Sequence, residues 1–266
     1  MKIATFVVLT IVSAGSFSET IDSTTMVQIP EGMYKPFFSS PPASVKNTSK
    51  VAISQSTTFP TTRSVTIKSF WMDKYPVTRK QFMKFTETSP EWKKDKVSKL
   101  FSDQQYLSTN EIDQAPITNV SWFAAQSYCE SAGKTLPTTD QYEYVYTNNN
   151  LDQTNIKSIE INWLSKPATK ALRKVGEGNP NSFGIFDLYD LIFEWTYDFN
   201  AIIVNGGDSR DISDTDGQLF CGSGSLNSLD ATNYPAFLRF SLRSSLDAKF
   251  STSQLGFRCV INQKSL

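Results

Sequence analysis

Ala115-Pro-Ile-Thr-Asn-Val-Ser-Trp-Phe-Ala-Ala-Gln-Ser-Tyr-Cys129 runs directly into Glu130-Ser-Ala-Gly-Lys-Thr-Leu-Pro-Thr138-Thr-Asp-Gln141-Tyr-Glu-Tyr144. Ser121 is placed to cap a helix, its hydroxyl accepting an orphan N–H of the first turn. Ala125, Cys129 (or Tyr128) and Ala132 recur at helical spacing and give one narrow face of small residues. Gly133 can take the left-handed conformation that closes such a helix. Thr138-x-x-Gln141 then forms a capping box, with Pro137 fixing the approach and Tyr142 opening a second helix. The prediction is helix, tight turn, helix.

Val-Ser-Trp-x-Ala-Ala-x-x-Tyr-Cys, Gly-Lys-x-Leu-Pro-Thr and Gln-Tyr-Glu-Tyr within this stretch resemble the central signature of the formylglycine-generating-enzyme, or sulfatase-modifying-factor, superfamily. Further blocks agree in order: Tyr75-Pro-Val-Thr78, Phe183-Gly-Ile-Phe-Asp-Leu followed by Phe193-Glu-Trp195, and Leu255-Gly-Phe-Arg-Cys259. They span residues 26 to 260. The resemblance implies an α+β, C-type-lectin-like sulfatase-modifying-factor fold with irregular strands, few helices and long loops. It would form a single domain over 24–262.

At 266 residues the chain has room for one large domain or two small ones. Lys plus Arg and Asp plus Glu both number 26, so no global field favours nucleic acid or an anionic membrane. Aromatic residues make up 13% and supply a core of flat side chains. The most restrictive fact is that there is no histidine. Imidazole is the commonest metal ligand and the usual acid–base group near neutrality, and neither use is open to this chain.

Residues 1–18 have the form of a secretory signal: Lys2, an apolar stretch Ile3 to Val12, then small residues from Ser13 to Ser18. The apolar stretch is shorter than the roughly 20 residues a membrane span needs. The expectation is a periplasmic or secreted monomer, free of the membrane once the signal is removed, with a protein partner and no nucleic acid. Met26 to Tyr34 reads as a first strand and turn. Residues 39–64 are rich in Ser, Thr and Pro and read as a surface excursion. Val65 to Met72 alternates like a half-buried strand. Thr78 and Gln81 form another capping box, with Val77 stapled onto Phe82. The Lys93-Lys94-Asp95-Lys96 run reads as a solvated face.

From 147 to 180 the chain is polar and poorly periodic. In the family this region supplies oxygen ligands to a structural calcium, and Asn162 matches one of them. The acidic residue expected further on is missing from Pro167 to Asn179. A second calcium in the family uses a Gly-Asn pair, replaced here by Asp190-Leu191. Both family sites are therefore degraded, since a hard cation wants six to eight oxygens with net negative charge. Asp187, Asp190 and Glu194 have two open readings: a cation site, or buried carboxylates satisfied by backbone N–H groups. Gly206 to Gly217 is a run of turn-formers and acids without the ligand spacing of an EF-hand, and reads as a solvated loop.

The three cysteines are Cys129, Cys221 and Cys259. The resemblance implies a disulfide between Cys129 and Cys259, worth about 4 kcal/mol in the chain-entropy model; the alternative is two separate buried thiols. Cys221, in Phe220-Cys-Gly-Ser-Gly, is then the candidate catalytic thiol. Formylglycine-generating oxidases bind copper(I), a soft metal that selects thiolate, through two cysteines five apart. The matching stretch, Leu226 to Tyr234, has none. Histidine-bound iron or zinc is excluded by composition. Phe220-Cys-Gly-x-Gly, Tyr234-x-Ala-Phe-x-Arg-Phe240 and Leu242-Arg-Ser-Ser-Leu246 resemble a histidine-poor branch of accessory proteins encoded beside copper nitrite reductases. Two functions follow. One is an accessory or maturation protein without formylglycine oxidase activity; the other is an oxidoreductase that uses Cys221.

Overall fold

The computed structural model describes residues 24–36, 64–109, 112–147, 153–166, 171–199 and 234–263. The stretches read from sequence as an export signal (1–18), a surface excursion (39–64, nearly all of it) and a solvated loop (206–217), and Cys221, lie outside these residues.

Three short strands form the main antiparallel sheet in the order β1 (Met26–Ile29), β4 (Phe70–Asp73), β7 (Val260–Asn262). Met26 faces Asp73 and Ile29 faces Phe70 on one side of β4; Met72 faces Val260 on the other. Phe70 and Met72 point inward while Trp71 and Asp73 are half-buried, the period-two signature of a strand with one covered face. β2 (Gly32–Tyr34) pairs with β3 (Val65–Ile67) as a separate ribbon. The single strand expected from Val65 to Met72 is thus two strands in two sheets. The parity of the buried positions explains the break: Ile67 and Phe70 are both buried, three apart, so an extra residue at Lys68-Ser69 moves the chain from one ladder to the next.

The helix–turn–helix prediction holds at both joints. Ser121 Oγ accepts the Ala124 N–H at 3.3 Å and starts α2 (Trp122–Ser131). Gly133 has φ 67° and donates to the Glu130 carbonyl, while Lys134 donates to the Cys129 carbonyl, the paired bonds of a Schellman closure. The buried face is Ala124, Ala125, Gln126 and Cys129; Ala132, expected on that face, is the exposed C-cap. Thr138 and Gln141 exchange backbone and side-chain hydrogen bonds at 3.0 and 3.1 Å to open α3 (Thr139–Thr147). The same box at Thr78 and Gln81 opens α1 (Arg79–Thr88), whose Phe82 and Phe85 are buried. A single 3-10 turn, Pro90–Trp92, follows.

Two helices flank the polar regions: α4 (Gln153–Leu164), in a stretch expected to be irregular, and α5 (Tyr234–Ser245). β5 (Phe193–Glu194) and β6 (Leu255–Gly256) pair in parallel beneath them. Gly256 is required there, because a Cβ would sit 2.3 Å from the Ile117 carbonyl oxygen. One apolar cluster surrounds α1, α2 and Trp195; the other lies between the sheets and the tyrosines of α3. Among the described residues no helix is long and apolar enough to cross a membrane.

Candidate functional site

Cys129 and Cys259 are joined, with Cα atoms 5.7 Å apart, and both are fully buried. The bridge ties the last turn of α2 to the residue before β7. Its neighbour Arg258 has no exposed surface. Arg258 grips Glu194 through Nε and Nη2, each at 2.7 Å, and donates its remaining N–H groups to the carbonyls of Asp73, Lys74 and Phe186. Every donor of the guanidinium is used. Burial alone would pull its pKa down, but the Glu194 charge outweighs that and raises it. Asp73 accepts from Lys134 Nζ at 2.6 Å and from the Cys259 N–H at 3.1 Å. Burial holds its carboxyl above the ordinary range despite Lys134.

Asp187 and Asp190 are brought together by Arg173, which donates to the first at 3.0 Å and the second at 2.6 Å. Asp187 is buried in the left-handed region, φ 62°, and also accepts the N–H groups of Gly176 and Gly178. Glu194 is committed to Arg258. A cation at Asp187 and Asp190 would have to displace a guanidinium. Asn162 stands exposed in the last turn of α4, its carbonyl accepting from the Ser165 hydroxyl at 2.9 Å. Among the described residues no group of three or more Cys, Asp or Glu could hold a metal ion.

A third cluster joins α3, α4 and α5. Glu143 receives Arg239 through Nε at 3.3 Å and Nη2 at 3.1 Å, and Arg243 at 2.5 Å; Arg239 also reaches Glu160 at 2.5 Å. The Arg239 guanidinium lies 3.8 Å from the Tyr146 ring centre and that of Arg243 lies 5.2 Å from Tyr142. Burial raises the Glu143 carboxyl, but the charges and hydrogen bonds of Arg239 and Arg243 outweigh it and set the pKa at about 2. Glu160, with fewer partners, is raised by burial. A cavity of about 20 Å³ remains beside Tyr146, Trp163 and Arg239, room for one water. The sequence reading found none of this cluster. The available signal was Arg239 and Arg243 four apart on one helix face; Glu160 gave none while α4 was unpredicted.

A family model described as the sulfatase-modifying factor enzyme 1-like domain matches residues 14–263. The chain belongs to this family. Inactive C-alpha-formylglycine-generating enzyme 2 of Bos taurus is 24% identical over 251 residues, covering 74% of this chain and 78% of the bovine protein. Serine/threonine-protein kinase pkn1 of Chlamydia pneumoniae is 23% identical over 153 residues, 51% of this chain. The match spans only 23% of that kinase's length. Among solved structures, PvdO from Pseudomonas aeruginosa superposes with a TM-score of 0.49 at 16% identity, covering 90% of this chain and 94% of PvdO. The mixed α+β architecture with few helices and small sheets is that of the sulfatase-modifying-factor family.

The donor set does not fit the copper(I) of a formylglycine-generating oxidase. Of three cysteines, Cys129 and Cys259 are bonded to each other, leaving Cys221, and the chain has no histidine. From Gly222 to Arg258 there is no cysteine at all. A two-coordinate soft-metal site needs a second sulfur.

Proposed function

We propose that this sulfatase-modifying-factor domain is an exported accessory protein that assists maturation of a periplasmic or secreted enzyme of the copper class, and is not itself a formylglycine-generating oxidase. The observation that carries the reading is the consumption of two of three cysteines in the Cys129–Cys259 bridge. What remains is one thiol and a framework whose buried charges are paired with one another. The resemblance of the Phe220, Tyr234 and Leu242 blocks to accessory proteins supplies the copper link, and the form of residues 1–18 supplies export. The likeness to a bovine protein whose name begins "Inactive" agrees with the missing oxidase.

The test incubates purified protein with copper(I), oxygen and a peptide carrying the sulfatase recognition motif. Conversion of the peptide thiol to aldehyde, read by mass spectrometry, should not exceed that of a Cys221→Ser control. Robust turnover that depends on Cys221 would overturn the proposal and support an oxidoreductase working with a single thiol.

A further inference from the structure

On the side of the molecule formed by α1, a cleft of about 440 Å³ opens among that helix, the turn after Trp92, and Leu107, Thr109 and Ile117. The volume lies in the range of small-molecule sites, which are concave, largely apolar and fitted with a few polar groups. Met83, Leu107 and Ile117 give it an apolar lining. Leu107 is a leucine at φ 48°, a conformation its side chain disfavours, and its N–H is fixed to the Asn119 carbonyl at 2.7 Å. Asn119 is itself left-handed, φ 55°. A leucine of the lining is thus held in a sparsely populated region, a kind of strain that clusters at ligand sites.

The charged groups of the lining are of both signs. Arg79, Lys93 and Lys94 share the lining with Glu87 and Asp95. Arg79 is paired with the exposed Asp113 at 3.2 Å, which leaves two lysines and two carboxylates in the lining. A singly charged ligand would satisfy one set and repel the other; a molecule with an apolar body and both charges complements both. We propose that this cleft binds a small amphipathic zwitterion, an apolar amino acid in chemical class. This site is independent of the accessory function.

The experiment titrates the full chain with phenylalanine, 3-phenylpropionate and phenethylamine, three probes sharing one apolar body, followed by saturation-transfer NMR. Phenylalanine should bind saturably and about tenfold more tightly than either singly charged analogue, a difference of 1.4 kcal/mol. Met83→Trp, which fills the cleft from a partly exposed position, should remove binding while the thermal midpoint stays put. Lys94→Glu, on the exposed wall, should weaken phenylalanine and spare phenethylamine. The proposal falls if phenylalanine shows no saturable binding at millimolar concentration, or if an analogue binds as well. It falls equally if either folded variant binds phenylalanine like the parent.

Discussion

Arg258 sits where a charge is most expensive, and it is tolerable only because every donor has an acceptor. A buried ion pair gains little over an apolar pair of the same volume, but removing one partner strands the other. Arg258→Met should therefore lower unfolding stability by about 3–5 kcal/mol, read by urea denaturation. Adding Glu194→Gln to that background should recover part of the loss, since the stranded carboxylate is gone. Equal stability of the single variant and the parent would show that water reaches Glu194. The sequence made Gly-Phe-Arg-Cys recognisable as a block but gave no partner for its arginine. Those partners lie 64 to 185 residues away in the chain, and no local pattern records such distances.

Elements held together by local chemistry were legible; those held by distant charges were not. Ser121, Thr138, Gly133 and the Thr78 box each act within five residues, so their caps could be read directly. α4 was hidden because one of its buried positions, four after Ile156, is Glu160, which looks like solvent-facing polarity until Arg239 is known. The clamp of α3 on α5 also sets a pH dependence. Folded Glu143 has a pKa of about 2 against an ordinary 4.5, so the unfolded chain binds its proton first as pH falls. By linkage its contribution is complete above about pH 4.5 and disappears toward pH 2. Glu143→Gln should reduce stability at pH 7 and flatten the acid limb of a stability–pH curve measured by urea unfolding. An unchanged slope between pH 4.5 and 3 would place the acid sensitivity elsewhere.

Across the whole molecule the Cys129–Cys259 bridge closes a separation of 130 residues. In the chain-entropy model a loop of that size is worth about 4–5 kcal/mol. Paired Cys129→Ser and Cys259→Ser substitutions should lower the urea midpoint accordingly, and dithiothreitol should do the same to the parent. A loss below about 1 kcal/mol would mean that the unfolded chain is already constrained. The family's block order foretold the α+β class and this pairing, because cysteine positions survive as sequence. The split between β3 and β4 was not foretold, because alternation alone does not say which ladder a residue joins. The sheet order β1-β4-β7 has a consequence in time. While the chain is being synthesised, β4 keeps an open edge and Glu194 lacks its counterion until the segment 255–262 emerges. The nascent chain must therefore pass the whole interval from residue 73 to residue 255 without the contacts that complete its centre, in a state whose unpaired edge invites association with other chains.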